Sequence, residues 1–309
     1  MSHPELQGGR TGLLGAIEGG GSKFVCAVAR SPLELLERVT VPTTDAQTTL
    51  EACAGFFAAV QQRHGRLAAL GFACFGPLEL RPESARYGRM WPTPKAGWSD
   101  VDVLAPLRSA LDVPIALDID VGAAALAEWQ LGAGRGLSSL AYVTVGTGIG
   151  GALAPPASAL RMMHAEMGHI PVRRDSRDHD FRGCCPFHGD CLEGLASGPA
   201  IRARWGCDID ALHVEHNGRS IIAGYLGQLA AAIALMHGVE RIVFGGGVMS
   251  DGTLLPLVRR AASASLNGYL PPLARDDHMT DYIRAPALGA LAGIAGALLL
   301  AQKLAYPAA

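Results

Sequence analysis

The sequence predicts an α/β fold built from two related halves. Helical patterns of apolar residues alternate with short apolar strands along most of the chain, which is typical of sheets covered by helices. A strand that breaks at a glycine-rich turn and then resumes occurs twice, within residues 13–29 and again within residues 140–153. This repetition indicates an internal duplication, and we place the domain boundary at residues 132–136.

The composition excludes several classes of protein. The 309 residues are 49% hydrophobic and carry a net charge of −2, which argues against a disordered chain and against a protein that coats nucleic acid. Seven cysteines are an odd number, so a disulfide-stapled secreted scaffold is not expected. The polar start of the chain lacks the pattern of a signal peptide and leaves little room for a DNA-binding module, and we expect a cytoplasmic protein.

Each element of the first half follows from its local pattern. The glycine-broken strands form a β-hairpin, and helical spacing or short apolar runs then alternate. The predicted elements are strands at 13–17 and 24–29, a helix at 48–64, a strand at 70–74, a helix at 101–111, a strand at 115–117 and a helix at 123–131.

The second half repeats this order with a polar insertion at residues 173–191. The predicted elements are strands at 140–145 and 152–153, a helix at 221–237, a strand at 241–244 and a helix at 254–266. Residues 285–301 carry no charge and are rich in alanine and glycine. We interpret them as a closely packed core helix rather than a membrane anchor.

Three glycine-rich turns are candidates for phosphate binding. Without Cβ atoms the backbone can approach an anion closely, and successive N–H groups can converge on it. One such turn alone favours a tight hairpin without a ligand, but three together favour a nucleotide. Neither the Walker pattern nor a dinucleotide-binding motif is present. The candidate residues are Gly20, Gly21, Ser22, Lys23, Gly146, Thr147, Gly148, Gly245, Gly246 and Gly247.

Two aspartates, Asp118 and Asp120, follow the strand at 115–117 and precede a helix. Ligands of α/β proteins bind at the carboxyl ends of strands, and phosphoryl transfer uses a carboxylate to accept the proton of the nucleophile. Either aspartate could instead cap the helix. The spacing predicts one structural and one catalytic aspartate without deciding between them.

A cysteine and histidine cluster is the most specific motif. Cys185, His188 and Cys191 form a Cys-x2-His-x2-Cys pattern, and His169 can supply a fourth ligand. Thiolates and imidazoles suit tetrahedral zinc, and four protein ligands indicate a structural ion. We interpret the adjacent Cys184 as a spare thiol that could compete with Cys185, and the less well spaced alternative ligands are His164 and His179.

A zinc hydrolase or deaminase remains an alternative. His164 and Glu166 ahead of a cysteine pair are similar to the deaminase pattern, although the proline follows the cysteine here and a histidine interrupts the pair. A closed set of four ligands would leave no position for an activated water.

The motifs together resemble the ROK family of sugar kinases over nearly the whole chain, most closely its bacterial fructokinase branch. The stretches that carry this resemblance are residues 17–24, 93–98, 118–121, 146–150, 164–169 and 185–199. The resemblance implies an actin-like ATPase (ribonuclease H-like) fold with two similar α/β domains around a central cleft. Its first domain would span residues 13–131, completed by a C-terminal helix at 288–305, and its second residues 132–287.

The resemblance also implies residue roles. Asp120 would be the general base, and the glycine turns would bind ATP, with residues 245–247 beneath the adenosine. Zinc would be held by His169, Cys185, His188 and Cys191, and Mg²⁺ would accompany the nucleotide. The implied sugar-contacting residues are Gly76, Pro77, Asp118, Glu166, His169 and Glu193. A homodimer is also implied.

The expected activity is ATP-dependent phosphorylation of D-fructose at the 6-hydroxyl. Many family members have Asp at the position of Glu18, whose longer side chain would reach Mg²⁺ through water. Many also have Asn at the positions of Ile119 and Gly122, and the loss of these two amides favours the fructokinase branch. The alternatives are a glucokinase, a mannokinase or a broad-specificity hexokinase, and, from other classes, the zinc enzyme or a non-catalytic sugar binder.

Overall fold

A computed structural model describes residues 12–155 and 165–307, which divide into two compact units. Unit 1 comprises residues 12–123 and 293–307, and unit 2 comprises residues 124–155 and 165–292. The strands are β1 (Leu13–Gly19), β2 (Lys23–Ser31), β3 (Glu34–Pro42), β4 (Leu67–Cys74), β5 (Ile115–Ile119), β6 (Leu140–Val145), β7 (Ile149–Ala154), β8 (Ile242–Gly245) and β9 (Ile283–Arg284). The α-helices are α1 (Ala46–His64), α2 (Ala105–Ala110), α3 (Asp120–Leu131), α4 (Leu192–Ala196), α5 (Gly198–Trp205), α6 (Asn217–His237), α7 (Leu255–Leu266), α8 (Asp276–Tyr282) and α9 (Ala292–Ala305).

Unit 1 is built on a five-stranded sheet in the order β3-β2-β1-β4-β5. The first three strands form an antiparallel meander, whereas β1, β4 and β5 run parallel. Parallel pairing brings the carboxyl ends of β1, β4 and β5 to one edge of the sheet. That edge carries the aspartates singled out from the sequence.

The uncharged C-terminal segment forms α9 and packs on the sheet of unit 1. Ile294, Ala297 and Leu298 are buried in one cluster with the strand residues Leu14 and Ala69. Small side chains let the helix lie close to the strands, which accounts for the alanine and glycine content of this segment. The missing charge in the sequence is therefore explained by burial against a sheet.

Unit 2 is built on a four-stranded sheet in the order β7-β6-β8-β9. β6 and β7 form an antiparallel hairpin, and β8 and β9 run parallel to β6. The order β2-β1-β4-β5 in unit 1 and the order β7-β6-β8-β9 in unit 2 therefore have the same strand directions. The repeated glycine-broken hairpin in the sequence corresponds to this repeated topology.

α6 is long and apolar enough to span a membrane by length and composition. In the structure most of it is buried, and most of its apolar residues belong to the hydrophobic core of unit 2. The core helices of soluble proteins can be equally long and apolar, and we interpret α6 as a core helix.

The sequence-predicted helix at residues 101–111 was too long. Only Ala105–Ala110 is helical, because Asp102 pairs with Arg89 in a short β-bridge and its Oδ1 accepts the N–H groups of Leu104 and Ala105. The side chain of Asp102 thus fixes a turn ahead of the helix and starts it four residues later than its apolar spacing suggests.

Candidate functional site

Three carboxylates lie along the carboxyl edge of the sheet in unit 1. The register places Glu18 of β1, Ala73 of β4 and Asp118 of β5 in one row. Glu18 and Asp118 therefore share one face of the sheet, two strands apart. Asp120 follows as the first residue of α3.

Burial and mutual repulsion raise the pKa of two of these groups. The pKa of Asp120 rises to about 6, first because it loses water and second because Asp118 lies nearby. The pKa of Glu18 rises to about 7, mainly through burial and then through the charge of Asp120. Carboxyl groups whose pKa is raised toward neutral pH in this way are typical of sites that transfer protons or bind cations.

Local hydrogen bonds fix the orientation of both aspartates. The Oδ1 atom of Asp118 accepts the N–H of Ile119 at 2.8 Å, and that of Asp120 accepts the N–H of Val121 at 2.7 Å. The carboxylate of Asp118 also lies against Gly122, where an added Cβ would come within 2.8 Å of Oδ1. A larger residue at position 122 would therefore displace Asp118.

The first glycine loop, residues 20–23, joins β1 to β2 in unit 1. The N–H of Gly20 donates to the carbonyl of Lys23 at 3.0 Å, which closes the turn. Gly20 and Gly21 are half-buried, whereas Ser22 and Lys23 are exposed. Lys23 thus lies at the surface of the loop.

Gly76 and Pro77 follow β4 and are half-buried in unit 1. The carbonyl of Pro77 accepts the N–H of Trp91 at 2.8 Å, which anchors this segment to the chain ahead of Lys95. The segment follows one of the strands whose ends carry the carboxylates.

The second and third glycine loops occupy one edge of the sheet in unit 2. Residues 146–148 join β6 to β7, and residues 245–247 begin at the last residue of β8, which runs parallel to β6. The N–H of Gly198, at the start of α5, donates to the carbonyl of Gly146 at 2.8 Å. The carboxyl edge of this sheet therefore presents two glycine loops, and successive backbone N–H groups in such loops can bind an anion.

Glu193 joins the second glycine loop to the cysteine and histidine cluster. Its Oε2 atom accepts the N–H of Ile149 at 2.8 Å, and its Oε1 atom lies 3.9 Å from Nε2 of His169. An added Cβ on Gly148 would come within 2.6 Å of Oε2, so only glycine leaves room for this carboxylate. The Glu193 carboxylate therefore has a fixed place between the loop and His169.

His169, Cys185, His188 and Cys191 converge on one point. Their ligand atoms all lie within 4.8 Å of one another. Sγ of Cys185 is 3.7 Å from Nδ1 of both His169 and His188, and Sγ of Cys191 is 3.5 Å from Nδ1 of His169. Zinc–sulfur and zinc–nitrogen bonds of ordinary length in a tetrahedron put sulfur and nitrogen about 3.6 Å apart, so the residues fit zinc.

The other candidate ligands do not join this cluster. Cys184 and His179 are exposed, and neither belongs to the cluster found among residues 12–155 and 165–307. His164 lies outside the described residues. Glu166 is exposed, and its carbonyl accepts the N–H of His169 at 3.0 Å.

A buried ion-pair network supports the insertion that carries the cluster. Oδ2 of Asp178 accepts a hydrogen bond from Arg204 at 2.8 Å and another from the hydroxyl of Tyr225 at 2.7 Å. Arg174 donates to the carbonyls of Asp178 and Phe181. The sequence analysis missed these residues, because their partners lie on helices far along the chain.

Comparisons with known proteins identify the family of this chain. Residues 14–304 match the ROK family. The chain is 42% identical over 294 residues to the fructokinase of Zymomonas mobilis, covering 94% of this chain and 96% of that protein. It is 37% identical over 293 residues to the fructokinase of Pediococcus pentosaceus, covering 94% of this chain and 98% of that protein. The chain belongs to the ROK family.

Solved structures give the fold. The ROK hexokinase of Thermus thermophilus superimposes with a TM-score of 0.74 at 27% identity, covering 94% of this chain and 98% of that one. A ROK glucokinase of Streptomyces griseus, solved with glucose and AMPPNP, gives a TM-score of 0.72 at 22% identity and covers 94% of this chain and all of that one. The expected actin-like ATPase fold is confirmed.

Proposed function

We propose that this chain is a fructokinase that transfers the γ-phosphoryl group of ATP to the 6-hydroxyl of D-fructose. The observation that carries the proposal is the carboxylate edge of unit 1, where Asp120 has a raised pKa beside Asp118 and Glu18. The fructokinases that share 37–42% of its sequence over almost their whole length support the choice of reaction.

Asp120 is the general base of the proposed reaction. Its carboxylate takes the proton of the 6-hydroxyl as that oxygen forms a bond to the γ-phosphorus. The bond from the γ-phosphorus to the β,γ-bridging oxygen breaks, and ADP leaves with the electron pair. A carboxylate with a pKa of about 6 is ionised at neutral pH and still basic enough to accept this proton.

The glycine loops bind the triphosphate in this proposal. In unit 1, the loop of residues 20–23 offers the N–H groups of Gly21 and Ser22 to a phosphate. In unit 2, we assign the loop of residues 146–148 to phosphate binding and residues 245–247 to the adenosine. Backbone dipoles fixed before the ligand arrives stabilise the charge of the transferred group without reorganisation.

Each unit has residues to which the family resemblance assigns sugar contacts. We assign this role to Asp118 and the segment of Gly76 and Pro77 in unit 1, and to Glu166, His169 and Glu193 in unit 2. His169 presents Nδ1 to the cysteines, which leaves Nε2 on the side of Glu193. One histidine can therefore ligate a metal and still contact a sugar hydroxyl.

Zinc fits the cysteine and histidine cluster. The four ligands are two thiols and two imidazoles at tetrahedral spacing, and no exchangeable position is left for a reactive water. In this proposal the ion has a structural role, since it holds His169 and the loop of residues 185–191 in place. A zinc deaminase, which needs an open position, is correspondingly disfavoured.

Magnesium fits the carboxylate edge of unit 1. Hard divalent cations prefer carboxylate oxygens, and they bind through few protein ligands together with substrate phosphates. Glu18, whose pKa is raised by burial and by Asp120, is the carboxylate whose charge gains most from a nearby cation. Magnesium bound there with ATP would neutralise the phosphate charge.

Fructose is favoured over glucose by the side chains around the base. Ile119 is buried, and Gly122 has no space for a side chain beside Asp118, so neither position offers the amide found there in many family members. The sugar contacts near the base therefore differ from the glucose-type pattern. Glucokinase, mannokinase and broad hexokinase activities are the outcomes that a sugar panel distinguishes.

Product analysis tests the proposed function. The purified protein is incubated with ATP, Mg²⁺ and D-fructose, and the product is examined by ¹³C and ³¹P nuclear magnetic resonance. A phosphate coupled to carbon 6, with one ADP released for each sugar consumed, supports the proposal. Ammonia release without ATP, or sugar binding without phosphorylation, refutes it.

Two further expectations accompany the proposed function. A cytoplasmic location follows from the use of ATP and from the soluble sugar substrate. A homodimer follows from the family resemblance and is measured by light scattering on the purified protein.

A further inference from the structure

The segment of residues 93–98 contacts the first glycine loop, although the sequence separates them by more than 70 residues. The ammonium group of Lys95 donates to the carbonyl of Gly21 at 2.8 Å and lies 3.4 Å from the carbonyl of Thr43. Trp98 is fully buried, packs against Phe24 and donates its indole N–H to the carbonyl of Thr44 at 2.9 Å. The segment is thus anchored below the loop.

Three successive carbonyls of the loop accept hydrogen bonds from one cluster of donors. The hydroxyl of Thr43 holds the carbonyl of Gly20 at 2.8 Å, and the N–H of Thr43 holds that of Ser22 at 3.1 Å. Lys95 holds the carbonyl between them. Because Lys95 also contacts the Thr43 carbonyl, these donors lie on one side of the loop.

Fixed carbonyls determine where the loop amides point. In a trans peptide the carbonyl and the following N–H point in opposite directions. Holding the carbonyls of Gly20 and Gly21 therefore directs the N–H groups of Gly21 and Ser22 away from Thr43 and Lys95. Within the described part of the chain, these two N–H groups have no hydrogen-bond acceptor. Such a pair of parallel free amides forms an anion-binding cradle.

We propose that Lys95 is a positioning residue of the first glycine loop, which orients the Gly21 and Ser22 amides toward a nucleotide phosphate. The inference rests on the proposed function for the identity of the anion. In this inference the charged side chain that holds the loop is Lys95 and not Lys23, which is exposed at the start of β2. A glycine-rich loop needs such support because its unrestrained backbone has high conformational entropy.

Hydrogen exchange and binding of a non-hydrolysable ATP analogue test this role in the Lys95→Met variant. We expect faster exchange of the Gly20 and Thr43 amides, whose hydrogen bonds to the carbonyls of Lys23 and Ser22 hold the loop, in the unliganded protein. We also expect affinity for the analogue to fall by about tenfold, the scale of one lost charge-assisted hydrogen bond, while KM for the sugar changes by less than about twofold. Lys303→Met, at an exposed position of α9, is the matched control.

Two more variants keep the test decisive. Lys95→Arg retains the cation and should restore most of the loop protection. If Lys95→Met fails to fold, Thr43→Val removes the hydroxyl that holds the Gly20 carbonyl and should produce the same selective loss of nucleotide affinity.

The outcomes separate this inference from the proposed function. A wild-type protein that binds no nucleotide refutes the proposed function. A wild-type protein that binds nucleotide, together with a Lys95→Met variant that binds it equally well and exchanges equally slowly, refutes the role of Lys95. A parallel loss of sugar affinity, nucleotide affinity and thermal stability would show a general structural role and would also overturn the inference.

Discussion

Asp120 and Glu18 share a confined space in which two negative charges are costly. Burial removes water from both carboxyl groups and so raises the pKa of each, and the charge of Asp120 raises the pKa of Glu18 further. A protein gains no stability from such a pair, so its presence points to function. The site is therefore primed to accept a proton, a cation or both.

The Asp120→Asn variant tests the general base. Asparagine keeps the size of the side chain but cannot accept the hydroxyl proton, and turnover should fall by about 10²–10⁴-fold. Sugar affinity should change little. The measurement is steady-state turnover together with sugar binding by calorimetry, and Asp112→Asn at an exposed position is the control. Turnover within a few-fold of the wild type would remove Asp120 from this role.

Glu18→Gln is expected to stabilise the metal-free protein at alkaline pH. Because the folded protein raises the pKa of Glu18 to about 7, it binds more protons than the unfolded chain between about pH 4.5 and 7. The stability contributed by this group is therefore lost as pH rises through that window. Relative to the wild type, the free energy of unfolding of the variant should be higher by about 3 kcal/mol at pH 8, and the difference should vanish at pH 4.

Chemical denaturation at several pH values measures this effect. Glu34→Gln, at an exposed position of β3, should show no such pH dependence. A wild-type protein whose stability relative to Glu18→Gln increases from pH 5 to pH 8 would contradict the assignment.

At the level of secondary-structure elements, the local pattern of apolar residues predicted most of the strands in the two sheets. The two hairpins and α6 are confirmed because their apolar spacing coincides with their burial. β3 was missed, since its alternating exposed and half-buried residues include several charges and it pairs on one side only. Edge strands of this kind lack the apolar run that marks a central strand.

The site residues that the sequence missed act through distant contacts. In the sequence, Lys95 belongs to a motif to which no role was assigned. Asp178 is one of several acidic residues in a polar insertion. Their hydrogen-bond partners are Gly21 and Arg204, which lie 74 and 26 residues away along the chain. No local periodicity encodes such a pairing, whereas the short spacing of Cys185, His188 and Cys191 is readable directly.

Cys191→Ser tests the metal cluster. Loss of one thiolate from a four-ligand site should reduce zinc from about one ion per chain to a small fraction, and should lower the yield of folded protein. The measurement is elemental analysis by mass spectrometry after dialysis. Cys207→Ser, outside the cluster, is the control. Equal zinc content in both variants would rule out the proposed ligand set.

Asp178→Asn tests the network behind the cluster. Both Asp178 and Arg204 are nearly fully buried, so removing the negative charge leaves the guanidinium uncompensated. Breaking a buried pair in this way costs about 3–5 kcal/mol, and the asparagine amide recovers part of it. We expect a lower unfolding temperature and faster zinc loss to a chelator than in the control Asp180→Asn, whose side chain is exposed. Identical zinc release in the two variants would mean that the network does not support the metal loop.

At the scale of the whole molecule, one topology is used twice. In each unit a glycine-broken hairpin is followed by strands parallel to its first strand, which gathers loops and carboxylates at the carboxyl edge of the sheet. Unit 1 adds the carboxylates, and unit 2 adds the cysteine and histidine cluster. The sequence predicted this duplication because glycine-broken strands stand out in a single chain.

The most direct test of the account is the ratio of kcat/KM values across a panel of hexoses with ATP and Mg²⁺. We expect D-fructose to exceed D-glucose and D-mannose by at least about tenfold, a difference of about 1.4 kcal/mol in transition-state binding. A protein that releases no ADP with any hexose, while correctly folded and loaded with zinc, would contradict the account.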